Sequence, residues 1–223
     1  LIITNNATIS KLVIQTTTDE TDFATISTNG NLTISSATYK SGNIKTNGNI
    51  SFPDTTPENK IGSLKIESGE LTIETLYAAN LTNDGTLSTK TVTVTQNITN
   101  NSEITSDTVL ANNDLENNGK FNAATSVQAN NITNAGEITT LTLIANSEVT
   151  NAENATITAT NGSVTVGANL TNDGSMNVAT TNVGGNLIDN GTWAESGIIN
   201  FVGANDQSFN SNLATKYAKI NVE

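Results

Sequence analysis

The chain has 223 residues and a formal charge of −12, from 9 Lys and Arg against 21 Asp and Glu, and it contains no histidine and no cysteine. Those two absences exclude a disulfide framework, a thiolate metal site and any imidazole base or ligand, and an acidic chain with no basic cluster argues against nucleic acid and anionic membrane surfaces as partners. Charged residues make up only 13% and aromatics 4%; the Thr, Ile and Val that fill the rest favour strands, and the Asn and Gly favour turns.

In chain order, Leu1 already stands in "LIITNNATI", written in the style of everything that follows. This is read as the start of a fragment or processed product of something longer. No run approaches the 18 or so apolar residues of a membrane-spanning helix. Over 1–72 a loose motif recurs as "IITNNATI" (2–9), "TISTNGNL" (25–32), "NIKTNGNI" (43–50) and a shortened "KIESGEL" (65–71). Pro53 and Pro57 lie in "SFPDTTPENK"; proline lacks the N–H a ladder needs, so this stretch is expected to protrude as a loop between turns.

From 73 to 193 the motif becomes regular: NLTNDGTL (80–87), NITNNSEI (97–104), DLENNGKF (114–121), NITNAGEI (131–138), EVTNAENA (148–155), NLTNDGSM (169–176) and NLIDNGTW (186–193), starting 17, 17, 17, 17, 21 and 17 residues apart. The 21 is expected to come from a four-residue loop insertion near "TATNGSVTVGA". Position two of the unit is always apolar, Leu81 through Leu187, and position eight is apolar with Ala155 as its weak member. Runs such as "TVTVT" (91–95) alternate at period two, the strand signal, and no helical stripe competes. Seventeen residues give about 56 Å of extended chain, enough for one turn of a slim solenoid, and are too few for a helical-hairpin repeat. The expected fold is all-β, a parallel β-solenoid (β-helix) of about 11 short turns with a period of 17 residues. The whole of 1–223 is one domain: irregular turns over 1–72, regular turns over 73–193, and a closing or junction segment over 194–223.

Position four is Asn83, Asn100, Asn117, Asn134, Asn151, Asn172 and then Asp189. In a solenoid these side chains stack, and the expected role is a ladder in which each amide bonds the next. The same letters admit other readings. Asn6, Asn31, Asn49, Asn80, Asn97, Asn100, Asn131, Asn154, Asn161, Asn169 and Asn190 begin N-x-[ST] sequons, acceptors for sugar if a secretory pathway modifies them. Asp84, Glu116 and Asp173 fall at turns, but not as repeated sets of oxygen ligands for calcium. Thr-x-Thr pairs resemble the arrays of ice-binding solenoids, yet the equivalent stretches "SDTVL", "ATSVQ" and "TTNVG" break the regularity. Lys216 and Lys219 have no obvious acidic partner, and no cluster of carboxylates marks an active site. No catalytic, cofactor-binding or metal-binding residue is therefore nominated.

The units "NLTNDGTL" and "NLIDNGTW", followed by "GIINFVGANDQSFNSNLATKYAKINV" (197–222), resemble the repetitive passenger regions of large bacterial surface proteins, the autotransporters and filamentous-haemagglutinin-like adhesins. The phrase that carries the likeness falls on Asn190, Gly191, Trp193, Gly197, Phe201, Gly203, Gln207 and Phe209. The resemblance implies a parallel β-helix outside the cell or on its surface, with a structural or adhesive role rather than an enzymatic one. The alternative is a carbohydrate-binding or carbohydrate-processing β-helix. Expected partners are further copies of the chain stacked end to end, or glycans and proteins of a host or cell surface, with no nucleic acid and no membrane insertion in this segment. Trp193, Phe201, Phe209 and Tyr217 are expected to close the end of the stack.

Overall fold

Alternation at period two buries every second side chain of a strand, and a fixed repeat returns the chain to its starting column, so each coil can hide its apolar face only against the coils above and below. The computed structural model describes residues 1–15, 23–40, 42–194, 197–211 and 219–222. Among these residues there are 26 strands and no helix. The pairings are parallel throughout: 24 strands form one continuous sheet, and Leu12–Gln15 with Ala37–Lys40 forms a small second one.

The coil beginning at Asn97 shows the plan. Strand Ile98–Asn100 is followed by strand Glu103–Ala111, whose register against the next coil shifts between Ser106 and Thr108, giving three straight segments. Ile98, Asn100, Ile104, Ser106, Val109 and Ala111 point inward and are buried. Polar residues occupy the corners: Asn101 with Ser102, then Asp107, then Asn112 with Asn113.

Each inward position continues as a column. The column of position two runs through eleven residues in unbroken register, from Ala24 and Ile44 through Ile98 and Val149 to Leu187 and Phe209, while Ile26, second in the motif at 25–32, falls instead in the column that leads through Thr46 and Ile66 to Asn83. At about 4.8 Å per coil, eleven coils make a rod roughly 50 Å long. The solenoid of about 11 turns with a 17-residue period is the fold of this chain.

Two details differ from the sequence reading. The four extra residues of the long unit do not form one loop. Asn151 pairs with Asn134, 17 residues before it, Ile157 with Ile138, 19 before, and Ser163 with Thr142, 21 before. Two residues therefore bulge at the corner after Asn151, where Asn154 takes a φ of 66°, and two more within Ala159–Ser163. Consequently Ile157, not Ala155, occupies column eight between Ile138 and Met176.

The proline segment is not simply a protruding loop either. Phe52 and Thr55 are buried, and their N–H groups donate to the carbonyls of Thr72 and Thr75. Asp54 Oδ1 accepts from the Thr75 N–H and Thr55 Oγ1 from that of Tyr77. Side chains thus serve as acceptors for main-chain N–H groups of the next coil. On the other side, Asn59 accepts from the Tyr39 N–H and donates to the Ala37 carbonyl. Only Thr56, Pro57, Glu58 and Lys60 of the segment's second half are fully outward.

Candidate functional site

Seven buried polar side chains lie in one column. The Nδ2 of Asn83, Asn100, Asn117, Asn134 and Asn151 each donates to the Oδ1 of the next Asn at 2.8–2.9 Å, and Asn172 donates to Asp189 at 2.7 Å. All seven side chains are fully buried. The second Nδ2 hydrogen goes to the carbonyl just past the next coil's corner, that of Glu103, Lys120, Glu137, Thr156, Ser175 or Thr192. One amide therefore satisfies its neighbour and fastens the neighbour's bend, so the cost of burying it is met within the column.

The column has a direction, every Nδ2 facing the C-terminal end. At the other end Asn83 lies over Ile66, and its buried Oδ1 has no hydrogen-bond partner. At the C-terminal end the last member is an Asp, which accepts from Asn172 and from the Gly191 N–H at 3.3 Å. Aligned amide dipoles present their positive end there, as backbone dipoles do at a helix N-terminus.

Three further polar columns run along the outside, and the repeat alone did not reveal them. At position one, the Oδ1 of Asn80, Asn97, Asn131, Asn169 and Asn186 accepts a main-chain N–H from the following coil at 2.8–3.3 Å. At position five, Asn118 donates to Asn101 and Asn101 to Asp84, and Asn190 donates to Asp173. Near the C-terminus Asn221 donates to Asn200, Asn200 to Asn182 and Asn182 to Thr165, opposite in direction to the buried column. On another face the residues Thr75, Thr91, Thr108, Ser126, Thr142, Ser163 and Thr180 stack as seven consecutive hydroxyls. The position two residues further on reads Tyr77, Thr93, Leu110, Gln128 and Ile144, so the Thr-x-Thr pair repeats in one of its two members only.

The carboxylates expected at turns are not brought to one place, and Glu116 lies within strand Asp114–Asn117 rather than at a turn. Asp84 is held by Asn101 and lies 3.9 Å from Lys65, Glu116 accepts from Asn118, and Asp173 from Asn190. Lys65 and Lys45 share Glu67 at 3.7 and 3.1 Å. Lys90 contacts Glu74 at 2.8 Å, and this hydrogen bond with its negative charge raises the Lys90 pKa above the ordinary lysine value. No group of three or more acidic side chains able to hold a metal ion occurs among the described residues. Lys219 is exposed; Lys216 and Tyr217 lie outside the described residues. Trp193 and Phe201 are buried, while Phe209 is 40% exposed and tilts against Phe201 with ring centroids 5.9 Å apart.

The sequons divide by environment. Asn100 is buried with its Nδ2 spent on the column, and Asn80, Asn131, Asn169 and Asn190 also donate from Nδ2 to a side chain of an adjacent coil. Asn154 and Asn161, one in each half of the split insertion, are exposed. A shallow trough of about 420 Å³ crosses the corners at Glu153, Asp173 and Asn190. No family model matches the chain, and neither a curated protein nor a solved structure matches it significantly.

Proposed function

We propose that this chain is a structural or adhesive surface element, a stiff rod that presents side-chain columns for contact outside the cell or at its surface, of the kind found in autotransporter and filamentous-haemagglutinin-like passenger regions. The observation that carries the reading is the use of the side chains: amides and carboxylates in several columns bond along the stack, and a column of hydroxyls lies in register beside them, instead of converging on a point. Such a surface repeats from coil to coil, and repetition serves multivalent contact, in which weak identical sites add through effective concentration. The partners that fit are the polar surfaces of glycans or proteins, and other copies of the rod.

The test is direct. Beads carrying the folded chain at high density are expected to adhere to glycan- or cell-coated surfaces, with retention rising steeply with density. Adhesion independent of density, or release of reducing sugar ends from polysaccharide by the purified chain, would overturn the reading. The trough at Glu153, Asp173 and Asn190 supports the second reading, carbohydrate binding or processing, because it is concave and lined with hydroxyls, amides and carboxylates; loss of sugar release on Asp173→Asn would assign that activity to it.

A further inference from the structure

The chain contains five Asn-Gly steps, at Asn29, Asn47, Asn118, Asn161 and Asn190, the sequence in which an asparagine side chain is most open to attack by the following main-chain nitrogen. Four of them are restrained, three at the asparagine side chain and one at the following nitrogen. Asn118 donates to Asn101 at 2.9 Å and to Glu116 at 3.0 Å. Asn190 donates to Asp173 at 2.8 Å, and its Gly191 nitrogen donates to the Asn172 carbonyl. Asn47 accepts from Ser68 at 2.6 Å, and Gly30, after Asn29, donates its N–H to Thr28 Oγ1. Asn161 is exposed, no side chain or main chain hydrogen-bonds its amide, and it lies in the bulge where pairing with the next coil passes from Ala159 directly to Ser163. Gly162 is there for close approach: a Cβ at that position would come within 1.7 Å of the Leu141 carbonyl oxygen.

We propose that Asn161 is a self-modification site of this rod, losing its side-chain amide in the folded state while hydrogen bonds to the side chain or to the following nitrogen protect its counterparts. The Gly162 nitrogen gives up its proton and bonds to the Asn161 Cγ; the Cγ–Nδ2 bond breaks and ammonia leaves, closing a five-membered imide. Water then adds to one of the two imide carbonyls and yields aspartate or the β-linked isoaspartate. Both steps need the side chain and the following peptide to rotate. A residue without ladder partners permits this, and an amide held from the adjacent coil does not. The product carries one more negative charge, and the extra backbone methylene of isoaspartate falls where no ladder pairing is lost.

Peptide mapping by mass spectrometry during incubation of the folded chain at mildly alkaline pH tests this. The peptide holding Asn161 is expected to gain one dalton roughly tenfold faster than those holding Asn118 and Asn190, the factor that one firm hydrogen bond contributes. In urea all five steps should convert at similar rates. Asn161→Gln should remove the fast phase without altering the circular dichroism, and Asn101→Ala should quicken conversion at Asn118. Equal rates at Asn118 and Asn161 in the folded chain, or an Asn161 stable when folded and labile in urea, would overturn the proposal.

Discussion

Asn172 hands its amide hydrogen to Asp189 at 2.7 Å with both side chains fully buried, so a column of amides ends on a group that accepts. Replacing Asp189 with Asn keeps an acceptor at the same place, whereas Asp189→Leu takes it from a buried N–H. The Leu variant is expected to lose about 1–3 kcal/mol, seen as a drop of about 2–4 °C in Tm per kcal/mol. The Asn variant should lie between it and the parent. Thermal melts followed by circular dichroism give the order, and a Leu variant as stable as the Asn variant would remove any role for the terminal acceptor.

Within the column, position matters. Asn117→Leu strands the Nδ2 of Asn100 and the Oδ1 of Asn134 together. Asn83→Leu strands groups on one side alone, because Asn83 rests on Ile66 and its own Oδ1 is already without a partner. The central substitution is expected to cost at least about 1 kcal/mol more in urea unfolding. Equal costs would show that the bonds are not shared along the stack.

The register of the coils was legible in the sequence because Leu81, Ile98 and Leu115 recur at one spacing and the Asn two residues later recurs with them. Asn182, Asn200 and Asn221 form a column just as real, yet they stand 18 and 21 residues apart, and one Asn among many carries no signal unless the spacing is constant. The hydroxyl column was hidden similarly: an extra residue within 124–125 displaces Ser126 by one place and the split insertion displaces Ser163 by four, while Thr91, Thr108, Thr142 and Thr180 keep a fixed place in the unit. Where in the coil extra residues settle depends on which corner admits a left-handed backbone, and Asn154 meets that need only once the fold exists.

Gly136 packs with an ideal Cβ position 2.0 Å from the Gly119 carbonyl oxygen. Its backbone is not left-handed, unlike that of Gly69 at φ +75°, so the demand is proximity to the preceding coil. Gly136→Ala is expected to cost about 1–3 kcal/mol by overpacking, measured by urea unfolding. A neutral outcome would mean the coils separate at that corner without loss.

The Lys90–Glu74 pair makes a prediction of sign. Lys90 holds its proton above the ordinary lysine value of 10.5 because Glu74 accepts its hydrogen bond and opposes its charge. A folded pKa raised above the unfolded one contributes stability that is complete below the unfolded value and lost as pH rises through the folded value. Both groups are exposed, so the effect is small and screened by salt. Melts of the parent and Glu74→Gln should differ slightly at neutral pH and converge above the raised lysine pKa; a gap that widens in alkali would contradict the assignment.

The split insertion predicts which deletion the rod tolerates. Removing Glu153 with Asn154, together with Asn161 and Gly162, restores the spacing of the preceding coil and should leave a cooperative melt. Removing 159–162 as one block takes the buried Ala159 and leaves the corner bulge two residues long, so its melt should be broader and lower. Identical melts would mean the coil redistributes its extra residues freely.

The sameness of the joints between Asn83 and Asn172 reaches beyond stability. Each coil offers its upper neighbour what it takes from its lower one, so excising one whole unit brings together a donor and an acceptor that already fit, and duplicating one does the same. A gain or loss of 17 codons therefore alters how far the molecule extends while asking for no compensating change elsewhere, which makes length the trait this gene can vary most cheaply across generations.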